Sequence, residues 1–225
     1  MNIVVIISAG AEWRAVKELF PNLELDRSPF GACARLKLGT RNLTLVHGGW
    51  GKIAAAASAQ YAIDTFHPDL LVNLGTCGGF AGHIETGTVI LVERTLVYDI
   101  IEQMGDGDAA IQAYAADVDL SWLGAGAPPA RRGLLVSADR DILADDIPML
   151  VQKYGAAAAD WESGAIAWVA QRNGTRVLIL RGVTDLVGRA GGEAYGNIAL
   201  FHERTREVMT KLFAQLPDWL DQITE

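Results

Sequence analysis

The sequence predicts an α/β fold in three layers, with helices on both faces of a central, mixed and mostly parallel sheet. Several runs rich in Val, Ile and Leu are apolar without alternation, which is typical of strands covered on both faces. Helical segments lie between these strands along the chain. Half of the 225 residues are hydrophobic, and no linker or repeat divides them. We therefore expect one domain over residues 1–225.

The strand candidates begin at the N-terminus with the run Ile3–Ser8. The runs Ala34–Leu38 and Leu43–Val46 are separated by Gly39–Asn42 and predict an antiparallel hairpin, which makes the sheet mixed. The predicted strands cover residues 3–8, 34–38, 43–46, 70–74, 88–97, 134–136 and 177–180.

Helical segments are recognised by their periodicity and by their stop signals. Gly155 and Gly174 can adopt a left-handed cap, whereas Pro68 and Pro217 cannot continue a helix. The segment 104–132 shows weak periodicity and is predicted to be a long surface excursion of the kind that often has a function. The predicted helices cover residues 11–20, 52–66, 147–154, 163–173 and 199–216.

Composition argues against several classes of protein. The net charge of -8 and the pI near 5.0 disfavour a nucleic-acid partner, because surfaces that follow phosphates are basic. No basic stretch precedes the apolar N-terminal strand, and no apolar run approaches the ~18–20 residues that span a membrane. We therefore expect a cytoplasmic protein with no membrane partner. Two cysteines and four scattered histidines predict neither a disulfide framework nor a metal site.

Three motifs resemble cofactor or nucleophile sites, but each lacks a residue that such a site requires. Gly49–Ala54 fits a dinucleotide fingerprint, but the acidic candidate, Asp69, precedes the next strand instead of following it. Gly51-Lys52 lacks the Ser/Thr and the leading Gly of a nucleotide phosphate loop. Cys77 lies in a predicted Gly-rich turn where a nucleophile could sit, or where a small residue is simply tolerated, and no histidine is tied to it. We expect no cofactor.

Acidic residues recur after the predicted strands, where ligands bind in open α/β sheets. Glu12 follows the first strand, Glu162 precedes a helix, and Asp185 follows the last strand. Phosphate would be repelled by this set, whereas a polyhydroxylated, nitrogen-rich ligand would find acceptors and proton donors.

Three blocks carry a family resemblance: Gly75–Phe80, Asp160–Ala165 and Val183–Val187. In this order they resemble the nucleoside phosphorylase/hydrolase superfamily, and within it the 5′-methylthioadenosine/S-adenosylhomocysteine nucleosidases, in forms similar to the plant-type branch. The similarity extends over nearly the whole chain. It implies a nucleoside phosphorylase-like fold, a homodimer, and hydrolysis of a purine nucleoside by water.

The resemblance also implies roles for individual residues. Glu12 would be the general base that activates water, Asp185 the general acid that protonates N7 of the purine, and Glu162 the acceptor for the ribose hydroxyls. The further substrate-binding positions that it implies are Trp50, Thr76, Gly78, Ile142, Trp161 and Tyr195, with Trp161 against the sugar, Gly78 and Ile142 at the base, and Trp50 and Tyr195 near the 5′ group.

The chemistry requires such a set on its own account. Cleavage of a C–N glycosidic bond passes through an oxocarbenium-like ion, and a purine leaves poorly unless it is protonated. Glycosidases meet the same need with one carboxylic acid and one carboxylate. Several acids in one cleft should raise at least one pKa through repulsion and desolvation.

Each assignment has a plainer alternative. Glu12 could only favour the first turn of its helix, Asp185 could be a helix N-cap, and Glu162 could pair with a surface base. Trp50 and Trp161 could be core residues. Two positions depart from the family pattern: Asp141 replaces an aromatic residue, and Trp50 replaces a smaller aliphatic one, which leaves the 5′ group open.

Two other functions fit the same residues. A purine nucleoside phosphorylase would need arginines around a phosphate, and Arg14 and Arg94 are the candidates. A non-catalytic purine- or nucleoside-binding protein would need neither an acid nor a base.

Overall fold

The computed structural model describes residues 1–224. Its strands are β1 (Ile3–Ile7), β2 (Leu25–Arg27), β3 (Ala32–Leu38), β4 (Arg41–His47), β5 (Leu70–Phe80), β6 (Val89–Val97), β7 (Ala116–Asp117), β8 (Arg131–Ser137), β9 (Ala158–Asp160), β10 (Val177–Gly188) and β11 (Gly191–Gly192). Its α-helices are α1 (Gly10–Leu19), α2 (Gly51–Phe66), α3 (Gly107–Gln112), α4 (Ile147–Tyr154), α5 (Ser163–Arg172) and α6 (Ile198–Asp221). A short 3₁₀ turn, Ala144–Asp146, precedes α4.

Two helical layers cover the sheet, which confirms the predicted α/β class. On one face, α1 and α6 pack through residues such as Val16 and Leu212 against alternate residues of β1, β4 and β5. On the other face, α2 and α5 pack through small residues such as Ala59 and Ala167. Ala-rich helix surfaces allow close approach to the strands, and the fully buried hydrophobic residues of α2 are all alanines, with Ile63 and Phe66 packed at the margin.

The sheet is mixed. Strands β4, β1, β5 and β10 run parallel in the centre, whereas β3 pairs antiparallel with β4 in the predicted hairpin. Along the other branch, β10 pairs with β6, then β8 and β9 follow, and β9 returns to β5. Because β5 also pairs with β10, these five strands close into a small barrel beside the open sheet. A third core cluster, which includes Phe80 and Leu150, packs α4 against this end.

The sequence prediction ended β5 and β10 too early. It placed a Gly-rich turn at residues 75–80, where β5 in fact continues to Phe80, and it ended the last strand at Leu180, where β10 continues to Gly188. The physical reason is the closure of the barrel, since Gly78 and Gly79 pair with Ala159 and Ala158 of the distant strand β9. Propensity alone assigns such glycines to a turn.

Pro217 does not end the last helix as predicted. Helix α6 continues to Asp221, with Pro217 inside it. An internal proline removes one backbone hydrogen bond and costs about 3 kcal/mol or more. The turn beyond it buries Trp219 and Leu220 in the core, which offsets that cost by about 1.5–3 kcal/mol for each side chain.

The segment 104–132 is not entirely irregular, because it contains α3 and β7. In contrast, α2 ends at Phe66, before Pro68, as the sequence predicts, and His67 takes the left-handed cap. Within residues 1–224, no helix combines the length and the apolar character needed to cross a membrane.

Candidate active site

A cavity of about 640 Å³ opens at the carboxyl ends of β1, β5 and β10. Its walls come from the start of α1, the start of α2, the β8–α4, β9–α5 and β10–α6 connections, and α6. All the site residues predicted from the sequence line it: Glu12, Trp50, Thr76, Gly78, Ile142, Trp161, Glu162, Asp185 and Tyr195. The structure thus brings these residues together, and their roles stay predictions.

Glu12 is in the first turn of α1, yet its carboxylate is buried and faces β5. One oxygen, Oε1, accepts hydrogen bonds from the backbone N–H of Thr76 (2.6 Å) and from its hydroxyl (2.9 Å). The other, Oε2, accepts from the backbone N–H of Ala9 at 3.1 Å. The plainer alternative, that Glu12 only favours the helix terminus, therefore accounts for the hydrogen bond of Oε2 alone. It does not account for the two hydrogen bonds that Oε1 accepts from Thr76.

Arg181 is a site residue that sequence reasoning missed. Its side chain is fully buried, and its Nε donates to Asp160 Oδ2 (2.8 Å) and Ser163 Oγ (2.9 Å). Its Nη2 donates to Asn73 Oδ1 at 2.7 Å, whereas the buried Nη1 has no hydrogen-bond partner among residues 1–224. The available signal was a lone charge at the end of the apolar run Val177–Leu180, since buried arginines need partners.

Gly75 makes the approach of Arg181 to Glu12 possible. A Cβ at this position would lie 2.0 Å from Arg181 Nη1 and 2.6 Å from Glu12 Oε1. The glycine therefore makes room for two opposite charges of the protein.

Glu162 directly precedes α5 and is 5% exposed. Its Oε1 accepts a hydrogen bond from the backbone N–H of Gly51 at 3.1 Å. Burial, together with the negative charges of Asp160 and Glu12, raises the pKa of Glu162 to about 8, although Arg181 acts in the opposite direction. The alternative of a surface ion pair is wrong within the described residues.

Asp185 lies in β10, so the alternative of a helix N-cap is wrong. The register between β10 and β5 shifts from Val183, opposite Cys77, to Asp185, opposite Gly78. Such irregularities re-aim a side chain, and Asp185 lines the cavity. Its Oδ1 accepts from the Thr184 hydroxyl at 2.9 Å. Burial raises the pKa of Asp185, which the hydrogen bonds and Arg204 only partly counteract.

Gly78, Ile142 and Tyr195 form the wall next to Asp185. A Cβ at Gly78 would lie 2.7 Å from Ile142 Cδ1, so only glycine lets Ile142 reach β5. The Tyr195 hydroxyl donates to the backbone carbonyl of Ile142 at 2.9 Å. The connection between β10 and α6 is thereby joined to the opposite rim of the cavity.

Trp50 and Trp161 stack on each other at the cavity, with ring centroids 4.6 Å apart and 26° between planes. Trp50 is 66% exposed, so the alternative of a core residue is wrong for it. Each tryptophan adjoins one partner of the Gly51–Glu162 hydrogen bond. The stack therefore joins the start of α2 to the start of α5 next to the Glu162 carboxyl.

The other candidates are not supported. Cys77 is buried, and burial raises the pKa of its thiol, which disfavours the reactive thiolate. Asp69 lies before β5 and hydrogen-bonds the backbone of Asn2, away from the cavity. Neither Arg14 nor Arg94 lines the cavity. Arg94 instead pairs with Asp117 at 3.5 Å.

A three-layer fold whose cavity gathers buried acids and aromatic rings defines an enzyme-like site for a small, polar, ring-containing molecule. The chain matches the phosphorylase superfamily over residues 2–216, and it belongs to that superfamily.

Relatives within it agree with the resemblance. The 5′-methylthioadenosine/S-adenosylhomocysteine nucleosidase of Listeria monocytogenes serovar 1/2a is 25% identical over 169 residues, 68% of this chain and 72% of the relative. The protein of the same name from Thermotoga maritima is 25% identical over 159 residues, 70% of this chain and 72% of the relative.

Solved structures agree on the fold. The Helicobacter pylori nucleosidase with butyl-thio-DADMe-Immucillin-A has a TM-score of 0.78 at 17% identity, with 99% of both chains covered. The S. pneumoniae nucleosidase with the transition-state inhibitor MT-ImmA has a TM-score of 0.74 at 19% identity, also with 99% of both chains covered.

Proposed function

We propose that the protein hydrolyses the N-glycosidic bond of 5′-methylthioadenosine, S-adenosylhomocysteine or both, and releases adenine. The names of the Listeria and Thermotoga relatives support this substrate class. The observation that carries the proposal is the set of three buried carboxyl groups, Glu12, Glu162 and Asp185, around one cavity of nucleoside size. We call the part formed by Glu12, Asp160 and Glu162, together with their buried neighbour Arg181, the water side, and the part formed by Asp185, Ile142 and Tyr195 the base side.

On the base side, Asp185 acts as the general acid. Its raised pKa increases the fraction that holds a proton near neutrality, as an acid catalyst requires. The proton passes to N7 of the purine as the bond between N9 and C1′ breaks. The electron pair of that bond stays with the base. Adenine therefore leaves as a neutral molecule.

On the water side, Glu12 acts as the general base. Three hydrogen bonds from Ala9 and Thr76 orient its carboxylate. Glu12 takes a proton from water while the water oxygen bonds to C1′ of the oxocarbenium-like sugar. Arg181, whose free Nη1 lies beside the same carboxylate, stabilises the negative charge at this end.

Glu162 holds the ribose hydroxyls. With a pKa of about 8, its carboxyl is largely protonated at neutral pH, so it can donate one hydrogen bond and accept another. Trp161 covers the sugar beside it. Trp50 stacks on Trp161 and narrows the cavity where the 5′ group would extend.

A phosphorylase is the second candidate, and the charges of the water side disfavour it. The guanidinium of Arg181 is already paired with Asp160, and Glu12 and Glu162 lie close enough to influence it. A phosphate dianion there would face the carboxylates of Glu12 and Asp160 and an arginine that is already paired, whereas water would not be repelled. Arg181 itself does not line the cavity, and among the arginines of the described chain only Arg140 does, where it pairs with Asp146 at 2.5 Å.

The test is adenine release from methylthioadenosine, S-adenosylhomocysteine, adenosine and inosine, each with and without phosphate. We expect full activity with methylthioadenosine or S-adenosylhomocysteine in phosphate-free buffer. Activity that appears only when phosphate is added would establish the phosphorylase. Adenine binding with no cleavage in either buffer would establish a non-catalytic binding protein.

We also propose that the protein is a cytoplasmic homodimer built from one domain per chain. Four large apolar side chains on the segments 50–53 and 101–104 are at least 66% exposed: Trp50, Ile53, Ile101 and Met104. The ion pair between Lys52 and Asp99 brings the two segments that carry them together. Light scattering of the wild type and of Ile53→Asp tests this: we expect a dimer for the first and a monomer for the second.

A further inference from the structure

The ring of Tyr195 is held at two points, although the residue is 43% exposed on a connection between secondary-structure elements. At its tip, the hydroxyl donates to the Ile142 carbonyl at 2.9 Å. At its base, the ring packs on Gly192, where a Cβ would lie 2.6 Å from Cε1, 2.7 Å from Cδ1 and 2.9 Å from Cγ.

These distances establish how the ring lies. A point in the plane of a six-membered ring and outside it cannot be nearly equidistant from three consecutive ring atoms. The Cβ position of Gly192 therefore lies over the face of the Tyr195 ring. Tyr195 thus places one face on the glycine backbone, and the ring also lines the cavity.

The surroundings of the ring belong to the base side. Ile142 is its hydrogen-bond partner, and both Ala194, the preceding residue, and Asp185 line the same cavity. Asp185 marks the position of N7 in the proposed mechanism, whereas Glu12 and Glu162 mark the sugar. A flat group attached next to Asp185 is placed to cover the purine, not the 5′ substituent.

We propose that the free face of Tyr195 is the stacking surface for the purine base, which makes Tyr195 a base-binding residue that adds affinity. This inference rests on the proposed function and deepens it. The ring is immobilised before the base arrives, so little side-chain entropy is lost on binding. Stacking on an aromatic side chain tolerates any flat heterocycle, and Asp185 and Ile142 supply the selection among bases.

The experiment is calorimetric titration with adenine, which requires no catalysis, on the wild type, Tyr195→Phe, Tyr195→Leu and Tyr114→Leu. Tyr114 is the matched control because it is 46% exposed and lies outside the cavity. We expect Tyr195→Leu to weaken adenine binding by about 5- to 150-fold, the range that loss of one stacking ring produces. Tyr195→Phe keeps the ring and loses only the hydroxyl contact, so its loss should be smaller, below about tenfold. The control should stay within about twofold.

The same variants are then assayed for kcat/KM with methylthioadenosine. If Tyr195→Leu binds adenine as tightly as the wild type, the stacking role is overturned, and a loss confined to methylthioadenosine would assign Tyr195 to the 5′ group instead. The proposed function is tested separately: a wild type that binds adenine in a Tyr195-dependent manner without cleaving nucleosides would disprove hydrolysis and leave the stacking role intact. A wild type that does not bind adenine overturns both.

Discussion

The water side and the base side of the cavity share one ligand but are built in different ways. Glu12, Asp160, Glu162 and Arg181 are each at most 6% exposed and are held by β5, β9, β10 and the starts of two helices. The base side combines Asp185, which is also buried, with Tyr195 and a connection that is largely exposed. Buried charges must be held in a rigid environment, because each buried charge that loses its partner destabilises the fold. A flat base needs one acid and one surface, which a short connection can provide.

The largest expected effect is on turnover and concerns the acid of the base side. Asp185→Asn keeps the shape but cannot donate the carboxyl proton, so we expect kcat to fall by about 10²- to 10⁴-fold. Adenine affinity, measured by calorimetry, should change only a few-fold. Asp141→Asn removes another carboxylate from the cavity wall and should lower kcat less than tenfold. Wild-type turnover in Asp185→Asn would refute the assignment of the acid.

The second effect concerns stability and should be confined to the water side. Arg181→Met leaves the buried Asp160 carboxylate without its partner, and breaking such pairs costs about 3–5 kcal/mol in the free energy of unfolding. Arg140→Met is the matched control, since Arg140 also pairs with an aspartate, Asp146, but its side chain is 40% exposed. It should cost about 1 kcal/mol. Urea unfolding of both variants tests this, and equal losses would contradict the division into two sides.

The contrast between the sides also explains what the sequence could predict. Glu12, Glu162 and Asp185 follow local signals, because each stands near the end of an apolar run or at the start of a helix. Their placement around one cavity then followed from the family resemblance and the general location of ligands in α/β sheets.

Other features depend on contacts between distant residues. The closure of the barrel rests on Gly78 and Gly79 pairing with a three-residue strand some 80 positions later, which no local pattern marks. The packing of the Tyr195 ring on Gly192 likewise depends on a turn geometry that glycine content alone does not specify. Arg181 was overlooked because its partners, Asn73, Asp160 and Ser163, come from three separate elements.

A third effect appears as a dependence of stability on pH, again from the water side. The pKa of Glu162 rises from an ordinary 4.5 to about 8 on folding. Between these values the folded protein holds a proton that the unfolded chain has released. The contribution to stability is therefore complete below about pH 4.5 and is lost as the pH rises towards 8, at no more than about 1.4 kcal/mol per pH unit. Unfolding of Glu162→Gln should lack this slope, whereas Glu85→Gln, an exposed control, should keep it.

The smallest effect concerns the exposed ion pair of the base side, where Glu193 and Arg204 meet at 2.5 Å. Glu193→Gln should change the free energy of unfolding by less than about 1 kcal/mol, because the pair is solvated. The same substitution should nevertheless alter the pH dependence of kcat/KM. The charge of Glu193 raises the pKa of Asp185 and that of Arg204 lowers it, so removal of Glu193 should lower this pKa.

Since catalysis needs protonated Asp185, the alkaline limb of kcat/KM should move to lower pH in Glu193→Gln. Glu203→Gln, exposed on α6, is the control and should leave the limb in place. A shift to higher pH, or an equal shift in both variants, would mean that Arg204 and Glu193 do not set the acidity of Asp185. A shift of the limb without loss of stability would instead show that the base side can be adjusted through an exposed contact, which the buried network of the water side does not allow.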